Sequence, residues 1–237
     1  MQPAALVTGG AKRLGRAIAL ALARDGYDLA VHYNRSAEAA GQLAEEIRQI
    51  GRRCETFQCD LADTPAVEEL AGRVHDTFPG WSVLVNNASL FERGSLAETD
   101  EKLFDRLMAV NLKAPLFLSR KFAALCGRGQ IVNMLDTKVC EDLSSYFVYV
   151  VTKKALRDVT RLAAKELAPN IRVNGVCPGL ILPPPGEDES YLEKLASRVP
   201  LKRPGSAEDV VSAVMYLLHN EYVTGHCLFA DGGEHLR

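Results

Sequence analysis

The chain has 237 residues, 47% of them apolar, and a formal net charge of −2. That length suits one large α/β domain with an extensive core. The near-zero charge removes any electrostatic ground for expecting nucleic acid or an anionic membrane as partner. Six cysteines without a C-x-x-C pair read as free thiols of a reducing compartment. With neither a signal-peptide pattern nor a run of 18 apolar residues, the expected location is the cytoplasm.

Short apolar or β-branched runs alternate with amphipathic ones along the whole chain. Ala4–Thr8 reads as a strand, and Arg13–Asp25 as a helix with Leu14, Ala17, Ile18, Ala21 and Leu22 on one face. Asp28–Tyr33 is the second strand, and Ala37–Ile50 a helix that Gly51 can cap. Arg53–Cys59, Pro65–Thr77 and Val83–Asn87 continue as strand, helix and strand. Helical stretches reach about Leu125, and a fifth strand follows at Gln130–Leu135. Tyr149–Leu167 is a long helix and Ile171–Cys177 a strand; Pro178–Pro204 is a Pro/Gly-rich excursion. Ala207–Leu218 and Cys227–Ala230 close the series as helix and strand. This rhythm predicts a single α/β domain: a doubly wound, mostly parallel sheet with helices on both faces. The excursion is too long for a tight connection, and residues 179–205 are expected to form a substrate lid.

The first strand runs into Thr8-Gly9-Gly10-Ala11-Lys12-Arg13-Leu14-Gly15, which opens a helix. Glycine there allows a tight turn and close backbone approach, and the helix N-terminus offers N–H donors to a phosphate. The second strand ends in His32-Tyr33-Asn34-Arg35-Ser36. A free ribose 2′-hydroxyl is usually met by an acidic side chain near this point, and none is present. Arg35 can instead bond a 2′-phosphate, with Asn34 and Ser36 beside it and Lys12 and Arg13 nearby. The pattern favours NADPH.

Tyr149 and Lys153, four residues apart, share a helix face. An ammonium beside a phenol is expected to lower the tyrosine pKa and fit it for proton exchange. With this pair the chain resembles the short-chain dehydrogenase/reductase family over its whole length. The resemblance rests on Thr8–Gly15, Cys59-Asp60-Leu61, Asn86-Asn87-Ala88-Ser89, Asn111, Tyr149-Val-Val-Thr-Lys153 and Arg172–Gly179. It implies a Rossmann-type fold, that Asp60 meets adenine, with Leu61 beside it, and that Asn87, Ala88 and Ser89 line the cofactor site together with Tyr33. It also implies that Asn111 joins a proton relay, Lys153 holds the nicotinamide ribose and the Pro178–Gly179 turn flanks the nicotinamide. A homotetramer is implied too.

Two residues depart from the general family pattern. Arg13 stands where the usual loop has a glycine, and Asp136 replaces the usual catalytic serine thirteen residues before the tyrosine. An aspartate would repel a developing oxyanion, so ketone reduction is disfavoured and loss of activity is one reading. The other is that the chain resembles the pteridine reductase subgroup, including its bacterial dihydromonapterin/dihydrofolate reductase branch. That subgroup combines Arg13, His32-Tyr33-Asn34-Arg35-Ser36, Ser89 with Phe91, Asp136 and a closing Asp231-Gly-Gly-Glu-His-Leu-Arg237. It implies a pterin or folate substrate, stacked on Phe91 and bonded by Arg13 and Ser89. Asp136 and Tyr149 would deliver a proton to the ring nitrogen, and the residue sequence leaves open which of the two gives it up.

Trp81 is expected to be packing, and the five histidines have no metal spacing. Pro183-Pro184-Pro185-Gly186 with Glu187, Asp188 and Glu189 is expected in the lid, lined by Tyr191 and Leu192, and Arg237 is expected to reach a neighbouring subunit. Two other functions compete with pterin reduction: a 3-oxoacyl-type carbonyl reductase, and a non-catalytic NADPH-binding sensor.

Overall fold

Alternate residues of each inner strand go to opposite faces of one sheet, and each face is covered by its own helices. The structure, a computed structural model, describes residues 1–184 and 188–236. Pro185, Gly186, Glu187 and Arg237, with the roles expected of them, lie outside the described residues. The strands are β1 (Ala4–Val7), β2 (Asp28–Tyr33), β3 (Cys54–Gln58), β4 (Trp81–Asn86), β5 (Gly129–Met134), β6 (Ile171–Pro178) and β7 (Cys227–Ala230). The helices are α1 (Arg13–Arg24), α2 (Ala37–Gln49), α3 (Thr64–Thr77), α4 (Glu101–Met108), α5 (Ala114–Cys126), α6 (Phe147–Leu167), α7 (Glu189–Ala196) and α8 (Ala207–His219).

Among the described residues the seven strands form one sheet in the order β3-β2-β1-β4-β5-β6-β7, every pairing parallel. Ala5 and Val7 of β1 join Ile18, Leu22, Leu43 and Val214 of α1, α2 and α8 in one core layer. Ala4 and Leu6 face the other way, onto Leu70, Leu118 and Phe122 of α3 and α5. A chain buried on both faces reads as continuous apolar strands, as observed. The strand order reverses between β1 and β4, and in such sheets ligands bind at the carboxyl ends of the strands beside that switch point.

Local chemistry sets several of the helix ends. Asp63 accepts from the Ala66 N–H at the start of α3, Ser206 and Asp209 form a capping box at α8, and Gly127 closes α5 in the left-handed conformation. Lys12, at the start of α1, offers no side-chain cap, so the first N–H groups there stay open to a ligand.

The structure shifts two expected bounds and adds two details. β4 begins at Trp81, whose indole packs edge-on against Phe122, 4.8 Å away, and donates to the Val83 carbonyl. α6 begins at Phe147, so Tyr149 lies in its first turn rather than at its start. The excursion after β6 contains α7, whose Asp188 cap accepts from the Ser190 N–H. Residues Ala109–Lys113, within the helical stretch between β4 and β5, form a π turn. No helix among the described residues is long and apolar enough to cross a membrane.

Candidate active site

At the switch point the ends of β1 and β4 are stitched together. The Thr8 hydroxyl oxygen accepts from the N–H groups of Asn87 (2.9 Å) and Ala88 (3.0 Å). The Asn87 amide donates to the carbonyls of Thr8 (2.8 Å) and Gly9 (3.3 Å). A Cβ on Gly15 would sit 2.3 Å from the Gly9 carbonyl oxygen and 2.6 Å from Asn87 Nδ2. Only glycine therefore fits that packed position.

His32, fully buried on β2, fastens the loop from below. Its Nδ1 accepts from the Gly9 N–H (3.0 Å), which leaves Nε2 to donate to the Cys59 carbonyl (3.1 Å). The imidazole is thus neutral, and burial pushes its pKa below the ordinary value. Sequence reasoning placed His32 on the cofactor strand but gave it no role. Only the pairing of three strand ends reveals one.

The loop, the open end of α1 and the β2 end together fit a dinucleotide. Gly9, Lys12, Leu14, Gly15, Asn87, Ala88, Lys153 and Pro178 line a cleft of about 430 Å³. Tyr33, Asn34, Arg35 and Ser36 lie at the carboxyl end of β2, beside Asp60 and Leu61 beyond β3; the Cys59 N–H donates to the Tyr33 carbonyl (3.1 Å). Arg35 is exposed and makes no side-chain bond among the described residues. It can meet a phosphate without breaking an existing pair.

Arg13 has φ +53°, a left-handed conformation that costs a side-chain-bearing residue roughly 1 kcal/mol. That explains why a glycine suits the position generally. Its guanidinium donates to the Pro183 carbonyl (2.6 Å), tying the glycine loop to the segment after β6. Arg13, Ser89, Phe91, Tyr149, Ile181 and Leu182 line both the first cleft and a second, adjoining one of about 680 Å³. Asp136, Lys138, Gly179 and Tyr191 face only the second.

Where the two clefts meet, the Tyr149 hydroxyl donates to Asp136 Oδ2 at 2.6 Å. The other carboxylate oxygen accepts from the Lys138 N–H (2.9 Å), so the side chain is fixed at both ends. Burial, then the Asp136 charge and this bond, holds the Tyr149 pKa well above its usual value. The expected lowering by Lys153 is not found. The Lys153 ammonium is buried, donates to the Met134 carbonyl (2.8 Å) and lies 5.8 Å from the centre of the Tyr149 ring. Burial brings its own pKa down to about 8. At neutral pH the phenol therefore keeps its proton.

Phe91 forms the other wall. It stacks on Tyr146 (4.4 Å, 14° between planes) and meets Tyr149 edge-on (4.7 Å, 85°), yet stays 38% exposed. Tyr146 was not anticipated, although it lies three residues before Tyr149. A parallel bridge between Gly94 and Tyr146 fixes the Phe91 segment against the start of α6. Asn111, in the π turn, braces the same segment. Its amide accepts from the Leu90 N–H (2.8 Å) and the Ser89 hydroxyl (3.3 Å), and donates to the Leu90 carbonyl (2.9 Å) and Thr152 (3.3 Å). Its side chain thus serves positioning, with no bond to Lys153 or Tyr149 among the described residues.

A seven-stranded Rossmann-type sheet, a glycine loop at its switch point and a buried tyrosine–lysine pair define a nucleotide-dependent oxidoreductase. A family model described as enoyl-(acyl carrier protein) reductase matches residues 9–235. Pteridine reductase 1 of Leishmania tarentolae is 38% identical over 278 residues, spanning 98% of this chain and 96% of that protein. A 3-oxoacyl-(acyl-carrier-protein) reductase of Staphylococcus aureus is 32% identical over 244 residues, 100% of this chain and 99% of that one. Among solved structures, the FolM alternative dihydrofolate reductase 1 of Brucella suis, in complex with NADP, superposes with TM-score 0.94 at 35% identity. That match covers 99% of this chain and 96% of the other. The chain belongs to the short-chain dehydrogenase/reductase family.

Proposed function

We propose that this enzyme is an NADPH-dependent pterin reductase that converts a ring C=N bond of a dihydropterin, dihydrofolate included, to the tetrahydro form. The observation that carries the reading is the 2.6 Å Asp136–Tyr149 bond, with Phe91 edge-on to the same tyrosine. The similarity to a pteridine reductase and to a dihydrofolate reductase complexed with NADP supports it.

When bound, NADPH supplies the hydride that the ring carbon accepts. Gly9, Lys12, Arg13, Leu14 and Gly15 hold its phosphates, Arg35 with Asn34 and Ser36 holds the 2′-phosphate, and Asp60 and Leu61 flank the adenine. Tyr33, Asn87, Ala88 and Pro178 line its path, Gly179 borders it from the adjoining second cleft, and Lys153 bonds the ribose. Phe91 stacks on the pterin face, while Arg13 and Ser89 bond the ring edge or cofactor phosphates. The ring nitrogen must gain a proton as its neighbouring carbon gains the hydride. The Asp136–Tyr149 pair shares such a proton and refills from solvent through the second cleft. The partly charged Lys153 offsets the negative charge left behind, and Asn111 keeps the Ser89–Phe91 segment in place.

We further propose that residues 179–205 act as the substrate lid and that the cytoplasmic enzyme is a homotetramer. Phe104, Phe147, Val151 and Leu162 on α4 and α6 are exposed apolar side chains, 43%, 37%, 40% and 68% accessible, that association would cover.

The test is a panel of dihydrobiopterin, dihydromonapterin, dihydrofolate and 3-oxoacyl substrates with NADPH and NADH. NADPH oxidation with a dihydropterin is the expected result; turnover of a 3-oxoacyl substrate alone would replace the reading by the carbonyl one. Tight NADPH binding without any turnover would replace it by the sensor.

A further inference from the structure

Asp136 is held from both sides, and the outer side is anchored by the C-terminal end of the chain. Asp136 caps a short 3-10 turn, Thr137–Cys140, so its carboxylate can point correctly only while that turn keeps its place. The turn's first residue, Thr137, is buried and donates its hydroxyl to Asp231 Oδ2 at 2.9 Å. Asp231 follows β7 and is itself buried.

Asp231 is tightly fixed in turn. The same Oδ2 accepts from the His235 N–H (2.8 Å) and pairs with His235 Nδ1 (2.8 Å), and Oδ1 accepts from the Gly233 N–H (2.9 Å). His235 stacks on Phe229 of β7, 4.2 Å between centres. Burial raises the Asp231 pKa, but the bonds from His235 and Thr137 outweigh it and hold the carboxyl below its usual range. Asp231 also abuts the other wall of the site. A Cβ on Gly179 would lie 2.6 Å from Asp231 Cβ, and the Gly179 N–H donates to the Ala230 carbonyl (3.1 Å).

We infer that Asp231 is a positioning residue for pterin reduction: through Thr137 it sets the turn that aims Asp136 at Tyr149. The inference rests on the pterin-reductase reading for its chemistry, while the clamp itself is a property of the free protein. Asp231, just after the last strand, is thereby tied to Thr137 of the turn that follows the fifth strand, across 94 residues of chain. Among the described residues neither Tyr149 nor Lys153 forms a side-chain hydrogen bond with Asp231 or Thr137, so losing the link removes no bond made by either of them.

The experiment uses Thr137→Val, which keeps the side-chain shape and removes the hydroxyl, in the full-length enzyme. The expected result is a fall in kcat for dihydropterin reduction of about tenfold, with KM for NADPH unchanged. Thr137→Ser should restore kcat. In an Asp136→Asn background the Thr137→Val change should have no further effect, because both act on one group. A parental kcat in Thr137→Val, or the same loss in both backgrounds, would overturn the inference. Should Thr137→Val fail to fold, Asp231→Asn is read against the same outcomes.

Amide hydrogen exchange at Lys138, whose N–H is bonded to Asp136, reads the turn without any substrate. Faster exchange in Thr137→Val supports the clamp, and unchanged exchange overturns it. A parent enzyme that reduces no pterin would refute the function reading alone, since the exchange result stands apart from turnover.

Discussion

Replacing Asp136 by Asn preserves the side-chain outline and removes the charge that the Tyr149 hydroxyl faces at 2.6 Å. A charge-assisted bond is worth about 1.5–3 kcal/mol and a neutral one about 1 kcal/mol. If Asp136 served only to align Tyr149, the difference of about 0.5–2 kcal/mol would lower kcat roughly 2- to 30-fold. An amide also cannot take up and pass on a proton as a carboxylate can, and losing a proton-transfer group costs about 10²–10⁴-fold. The sizes separate the two roles, and the larger loss is expected because Asp136 faces the substrate cleft. KM for NADPH should stay put, since Asp136 is absent from the lining of the nucleotide cleft. A second readout is independent of turnover. Burial, the Asp136 charge and the bond to it all raise the Tyr149 pKa, so the Asn variant should titrate lower by ultraviolet difference spectroscopy while remaining high from burial. An unchanged kcat together with an unchanged tyrosine titration would refute the proton-delivery argument.

Arg35→Ala should weaken NADPH binding about 10- to 100-fold and leave NADH binding unaffected, by fluorescence titration, because a charged phosphate contact is lost. Equal effects on both cofactors would show that Arg35 does not meet the 2′-phosphate. Gly15→Ala places a methyl 2.3 Å from the Gly9 carbonyl; the resulting strain should cost about 1–3 kcal/mol in thermal unfolding and reduce NADPH affinity. A variant with parental stability and affinity would show that the loop gives way freely. His32 has a folded-state pKa below its unfolded value of about 6.5, so its contribution to stability is complete above that pH and is lost as the pH falls. Protonation also removes the acceptor for the Gly9 N–H, so NADPH affinity should hold near neutral pH and drop only as the pH falls below the ordinary imidazole value of about 6.5. A flat affinity over that range, measured by calorimetry, would count against it.

The strand–helix alternation, the Thr8–Gly15 loop, Arg35, Phe91 and the Tyr149/Lys153 spacing could all be read from the sequence. Each depends on local periodicity or on residue chemistry that survives without knowing its neighbours. Even the departure at Arg13 is a local fact, although its φ of +53° and its bond to Pro183 are not. The direction of the Tyr149 pKa depends on which charge lies nearer. Lys153 reaches the Met134 carbonyl instead of the phenol, and Asp136 takes the phenol's hydrogen. Spacing along a helix records the first residue pair, but only the packing of β5 against α6 decides the second. His32 under the glycine loop, Asn111 against Leu90 and Asp231 behind Thr137 are bonds across 23, 21 and 94 residues. The residue types were visible from the start; the partners were not, because a hydrogen bond between distant segments leaves no periodic mark on either one.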